Sequence, residues 1–159
     1  MTDIVRSGYL IDTNVLLRLS RRQDPQHQMV VMALDALNEQ ESELYFSLQN
    51  IAEFWNVCTR PVERNGFGLS IQETSTFIHE IEAAMILLPD AGQVYSIWRT
   101  LVIANNVRGV QVHDAHLAAT MLAHGVTRIL TLNQPDFLRY AGLEAVHPGQ
   151  LLAQKQSPE

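Results

Sequence analysis

Sulfur chemistry is nearly absent from this chain: Cys58 is the single cysteine, so no internal disulfide can form. Set in the apolar run Trp55, Val57, Cys58, that thiol reads as a small core group and not as a nucleophile. Long apolar runs are missing too. The densest, Ala83 to Leu88, is cut off by Pro89 and Asp90, so no membrane association is expected. The N-terminus carries Asp3 and lacks the apolar core of a secretory signal, which points to the cytoplasm. Basic residues are scarce. Against 17 Asp and Glu there are 11 Lys and Arg, a net charge of −6, and such a chain does not coat nucleic acid by bulk electrostatics. It leaves open an enzyme that gathers carboxylates around a cation and keeps a few arginines nearby. Gly66 and Gly68 lack the rest of a phosphate-loop pattern and mark a turn. His113 and His116 bracket Asp114, but their spacing does not build a tetrahedral zinc site. There is no repeat or charge block, so residues 1–153 form one expected domain and residues 154–159 a frayed polar tail.

What the chain does have is a regular alternation of apolar patterns. Tyr9, Leu10 and Ile11 read as a strand that stops at Asp12, after which Val15, Leu16 and Leu19 follow helical spacing. Pro25 suits the first position of a second helix over Gln28 to Gln40. Glu43 to Phe46 is a short strand ending at Ser47, and a third helix runs from Leu48 to Arg60, where Pro61 stops it. Ser70 with Glu73 offers a capping box for a fourth helix reaching Met85. Ile86 to Leu88 is a strand, and Asp90 is the expected cap of a fifth helix ending near Asn106. A sixth helix, rich in small residues, contains Asp114 and ends at Gly125. Strands at Val126 to Leu132 and Leu143 to Val146 follow, separated by a short helix ending near Tyr140. Alternating strand and helix predicts a three-layer α/β/α sandwich with a mainly parallel central sheet.

Three acids stand at positions where ligands bind in such folds. Asp12 ends a strand, Glu53 shares a helix face with Asn50 three residues earlier, and Asp114 occupies a first helical turn. Each also has an ordinary reading: Asp12 as an N-cap, Glu53 as a solvated side chain, Asp114 as a partner of the helix dipole.

Four segments together resemble the PIN-domain family over nearly the whole chain. They are Ile11-Asp12-Thr13-Asn14-Val15-Leu16, Gln49-Asn50-Ile51-Ala52-Glu53-Phe54, His113-Asp114-Ala115-His116-Leu117-Ala118, and Leu130-Thr131-Leu132-Asn133 with Asp136-Phe137. Their order is most similar to stand-alone bacterial proteins of the VapC type, the ribonuclease toxins of toxin-antitoxin pairs. The resemblance implies that Asp12, Glu53 and Asp114 converge at the carboxyl edge of the sheet, with Thr13, Asn14 and Thr131 lining the pocket. It also implies an RNA substrate, a small antitoxin partner and a homodimer. The chain departs from the pattern at Asn133, where many members carry an acid; Asp136 is then either a fourth carboxylate or a helix cap.

Three carboxylates held close together repel, and unless one is protonated they need a cation. Oxygen-only ligands suit Mg²⁺ or Mn²⁺. Asp12 and Asp114 are the expected direct ligands, with Glu53 on a second metal or on a metal-held water. Arg18, Arg21 and Arg22 after the first helix, and Arg60 and Arg64 after the third, are candidate phosphate contacts. The expected function is a metal-dependent endoribonuclease. A weakly active or inactive RNA-binding or protein-interaction module is the alternative that Asn133 keeps open. A phosphatase with Asp12 as nucleophile is disfavoured because Asn14 stands where a second acid is required.

Overall fold

The computed structural model describes residues 6–156; Asp3 and the end of the polar tail, residues 157–159, lie outside them. Five strands form one parallel sheet in the order β3-β2-β1-β4-β5, comprising β1 (Arg6–Ile11), β2 (Glu43–Ser47), β3 (Ile86–Leu88), β4 (Val126–Leu130) and β5 (Glu144–Val146). The first strand is central because both of its faces are apolar: Tyr9, Leu10 and Ile11 are all buried. Alternation along it sends Tyr9 and Ile11 into one core and Leu10 into the other.

Helices α1 (Thr13–Leu19), α2 (His27–Glu39), α3 (Leu48–Thr59), α4 (Ile71–Ala84) and α7 (Pro148–Gln156) supply the first core, through residues such as Leu16, Leu37, Phe54, Ile81 and Leu151. On the second face lie α5 (Val94–Ala104) and α6 (Val112–Ala123). There Ala115 and Ala118 let α6 pack closely on the sheet, and Leu117 and Met121 fill the space beside them. The result is the expected three-layer sandwich, and Cys58 is fully buried in its first core.

Strand order reverses around β1, whose neighbours are β2 and β4, so the crevice beyond their carboxyl ends is the place for a ligand. At the opposite, amino end of these strands Gly8 allows β1 to pack tightly against β2. At φ 144° it lies where side chains are strained, and a Cβ would stand 2.4 Å from the Glu43 carbonyl of β2.

Local details differ from the sequence reading in four places. Asp90 does not cap α5: the helix starts at Val94 after Gln93, and Asp90 is drawn instead to His116 of α6, at 3.3 Å. Pro25 precedes the start of α2 by two residues, in a turn where Asp24 Oδ1 accepts from the Gln26 amide at 2.8 Å. At Ser70 only half of a capping box forms, with Ser70 Oγ accepting from the Glu73 amide; the complete reciprocal box joins Ser47 and Asn50. Finally, α7 keeps the chain helical through Gln156, past the start of the expected tail, and packs against α2.

Candidate active site

The end of β1 becomes a site because one residue serves two ends. Asp12 caps α1, its Oδ1 accepting from the Thr13 amide at 2.8 Å, while Oδ2 accepts from the Thr131 hydroxyl at 2.8 Å across the β1/β4 crevice. Both readings of this aspartate therefore hold at once: it is a cap, and it stands at the mouth of the crevice. Thr131 is the hub on the β4 side. Fully buried, it donates to Asp12 and accepts from Asn14 Nδ2 at 3.3 Å and from the Asn133 amide at 3.0 Å. Asn14 Oδ1 in turn accepts from the Leu132 amide.

A second network brings in α3. Asn50, fully buried, accepts from Ser47 through its oxygen and donates through Nδ2 to Thr13 Oγ1 at 3.1 Å. The Thr13 hydroxyl then donates to Glu53 Oε2 at 2.8 Å. Gln49 Nε2 donates to Glu53 Oε1 at 2.7 Å and to the His113 carbonyl at 2.9 Å, tying α3 to the start of α6. Gln49 Oε1 is buried without a hydrogen-bond partner among the described residues. Glu53 is thus a held, half-buried group and not a freely solvated one.

Asp114 and Asp136 complete an acidic cluster. Burial is the main force pushing the Asp114 carboxyl up to about 7, and the negative charges of Asp136, Asp12 and Glu53 add to it, with Arg139 opposing. Asp12 is pushed up to about 6, chiefly by burial; its hydrogen bonds from Thr131 and Thr13 oppose this, and Glu53 and Asp136 raise it further. The amide at 133 has a definite task. Its Nδ2 donates to Asp136 Oδ2 at 2.7 Å, so Asn133 steers a carboxylate and does not replace one.

Among the described residues, no three His, Cys, Asp or Glu side chains stand close enough to hold one ion as they are. The reason is visible in the bonds: Asp12 is tied to Thr131, Glu53 to Thr13 and Gln49, and Asp136 to Asn133. In kind, the donor set still fits a hard divalent cation. It consists of carboxylate oxygens that are partly desolvated and mutually repelling, the condition a cation relieves.

Three of the arginines expected from the sequence have partners of their own. Arg18 pairs with Asp24 at 3.2 Å, Arg21 sits 4.3 Å over the Phe67 ring, and Arg60 donates to the Asn65 carbonyl. Arg18 lies in the last turn of α1, and Arg21 and Arg60 lie just beyond α1 and α3, whereas Asp12 and Asp114 stand at the starts of α1 and α6 and Glu53 midway along α3. A cation whose charge acts on Asp114 is Arg139, exposed just after the short 3₁₀ turn Gln134–Phe137. Its spacing of three from Asp136 was the available signal, since such residues share a face in a helical turn.

Residues 9–143 match the family model of the PIN domain. The chain belongs to the PIN-domain family. Similar folds include VapBC2 from Rickettsia felis, solved bound to a DNA fragment from its promoter, at 14% identity and TM-score 0.63, covering 87% of this chain and 97% of that one. FitAcB from Neisseria gonorrhoeae aligns at 20% identity and TM-score 0.61, covering 89% and 98% of the two chains. VapC20 from Mycobacterium tuberculosis, a toxin that cleaves the sarcin-ricin loop, aligns at 13% identity and TM-score 0.57, covering 77% and 87%. No curated protein matches the chain in sequence. In this PIN domain, no helix among the described residues is long and apolar enough to cross a membrane.

The hub position makes a testable demand on stability. Thr131→Val removes the donor to Asp12 and the acceptor for two further groups, and leaving such buried groups unpaired costs about 1–3 kcal/mol. Thr131→Ser keeps the hydroxyl and should recover most of that. Chemical denaturation measures both; a Val variant as stable as the parent means the network contributes nothing.

Proposed function

We propose that this PIN domain is a metal-dependent endoribonuclease and the toxin of a toxin-antitoxin pair. What supports the reading is that the charges of Glu53 and Asp136 act on both Asp12 and Asp114 near the carboxyl edge of a parallel sheet, where burial and those charges hold the two aspartates above the usual carboxylate range. Mg²⁺ or Mn²⁺ would be held by Asp12 and Asp114, with Asp136 and Glu53 beside them. When bound, the ion offsets the carboxylate charge, activates water and neutralises the phosphodiester.

The remaining groups have roles that need no ion. Thr131 and the Thr13 amide fix the Asp12 carboxylate, while Thr13 and Gln49 fix Glu53, so neither must be ordered when substrate arrives. Asn133 sets the orientation of Asp136. Arg139, exposed and near enough for its charge to act on Asp114, offers a guanidinium to the phosphate backbone. Arg139→Gln should therefore weaken RNA binding and reduce the steepness of its salt dependence by about 0.7. Filter binding across a salt series reads that slope directly, and an unchanged slope removes Arg139 from the phosphate path.

Partner binding has its own support. A cavity of about 640 Å³ between α1, α3 and α4 is lined by Leu16, Leu19, Phe54, Phe77, Ile81 and Met85. Such a groove suits the apolar face of a partner helix, as an antitoxin would supply. Exposed Leu48, Ile86 and Leu87 offer a further apolar face, consistent with a homodimer.

The absence of three converged ligands among the described residues favours one other reading, a PIN-like RNA-binding or protein-interaction module without strong catalysis. A mixed RNA pool incubated with Mg²⁺, Mn²⁺ or EDTA separates the two. Cleavage that requires the ion supports the nuclease; RNA retention without cleavage supports the module.

A further inference from the structure

We propose that the cavity between α5 and α6 is a subsite for one unpaired guanine base of the RNA, next to the acidic cluster; the proposal rests on the ribonuclease reading. The cavity measures about 560 Å³ and is lined by Asp90, Tyr95, Trp98, Val112, His113 and His116, a size within the ordinary range of ligand pockets.

Its position follows from helix geometry. His113 lies on the cavity wall, and Asp114, the next residue on α6, is turned about 100° away on the same helix. Gln49 joins the two places, since its Nε2 reaches both Glu53 and the His113 carbonyl. A strand whose phosphate meets the acids thus has a neighbouring base within reach of the cavity.

The chemistry of the walls selects the occupant. Tyr95 is 69% exposed, too open for a core aromatic, and stacks against Trp98 with ring centroids 6.5 Å apart and planes 28° from parallel. Trp98 is itself fixed, its indole Nε1 donating to the Val112 carbonyl at 3.1 Å. A stacked aromatic pair at the rim, with Trp98 hydrogen-bonded in place, is a platform for an unstacked base. Beside the imidazoles of His113 and His116, the wall carries one carboxylate. Asp90 Oδ1 contacts His116 Nε2 at 3.3 Å, and the Asp90 side chain is 48% exposed, open to a further donor. A carboxylate repels phosphate and accepts N–H donors, and among the bases guanine presents two adjacent donors, N1–H and N2–H₂, on one edge. Adenine and cytosine each offer one amino group there.

The test uses the whole chain with Trp55→Phe, which leaves Trp98 as the only tryptophan. Guanosine 5′-monophosphate is titrated in EDTA while Trp98 fluorescence is followed, against inosine and adenosine monophosphates and arginine amide. Guanosine monophosphate should bind at least ~5-fold tighter than either other nucleotide, the lower end of the discrimination from a paired donor-acceptor contact. Tyr95→Ala should weaken it ~5-fold or more through lost stacking, while Tyr95→Phe retains it. Asp90→Asn should abolish the preference over adenosine monophosphate.

In parallel, RNA ends produced by the wild-type protein with Mn²⁺ are sequenced, and guanine should be enriched at one fixed position from the cut. Ion-dependent cleavage without that enrichment, and without nucleotide quenching, overturns the subsite and leaves the nuclease intact. Selective quenching by guanosine monophosphate without any RNA cleavage keeps the base site and defeats the nuclease. Quenching by arginine amide alone, or a change in mass by light scattering in Tyr95→Ala with nucleotide response unaltered, overturns the subsite in favour of a protein-binding face.

Discussion

Asp114→Asn should lower RNA cleavage at least about a hundredfold, equivalent to about 2.7 kcal/mol of lost transition-state stabilisation, while making the metal-free protein more stable at pH 8. The two effects have one cause. In the absence of an ion, Asp114 is a partly buried carboxylate facing Asp136, Asp12 and Glu53, and its ionised form is disfavoured by all of them. An amide of the same shape removes that repulsion and also removes the charge that would hold the cation. Asp12→Asn should match the loss of activity without the gain in stability. The Asp12 carboxylate accepts from both the Thr13 amide and the Thr131 hydroxyl, whereas an asparagine has one oxygen to serve two donors. Thermal melts at pH 8 in EDTA, paired with cleavage assays in Mn²⁺, separate the variants. Full activity in Asp114→Asn would falsify the metal mechanism; a shared fall in melting temperature would show that the acids stabilise the fold and do not strain it.

How much of this was readable in advance depends on whether the cause is local. Asp12 was legible because strand, carboxylate and cap follow one another within a few residues and the bond from Thr13 is local; the bond from Thr131 comes from 119 positions away. The parallel sheet was legible from the alternation of elements, with the central strands β1, β2 and β4 carrying enough apolar residues to be buried. Asp90 was misread because an acid ahead of a helical pattern is a good cap locally, but the deciding partner, His116, comes from 26 positions away. Asn50 was seen as a neighbour of Glu53 on one helix face; its actual work, closing the Ser47 box and holding Thr13, depends on the α1/α3 contact. Arg139 was missed although its spacing of three from Asp136 was readable, because its place beside the acids depends on the turn after β4. The helix α7 was obscured by Gly149 and by alternating polar residues, and its packing against α2 is a tertiary effect.

Raising the pH should destabilise the metal-free protein and strengthen its response to a divalent ion. Asp12 and Asp114 titrate at about 6 and about 7 in the folded chain, against an ordinary value of 3.8. Between those values the folded state binds more protons than the unfolded one, so stability falls as pH rises. The contribution is fully present below about pH 4, declines through the folded pKa values and is gone above pH 7 to 8. For Asp12, which is 7% exposed, the displacement corresponds to about 3 kcal/mol. Asp114, more open to water, acts in the same direction. An ion that needs both groups ionised must displace their protons, so binding releases protons near neutral pH and weakens as pH falls. The gain in melting temperature from Mn²⁺ should thus be small at pH 5.5 and large at pH 8. Calorimetric titration in two buffers of different ionisation enthalpy should find proton release at pH 6.5 that nearly vanishes at pH 8.5. Asp114→Asn should lose part of that release and flatten the pH dependence of the metal-free melt. A stabilisation by Mn²⁺ that is the same at pH 5.5 and pH 8 would mean that the ion binds somewhere other than this acidic cluster.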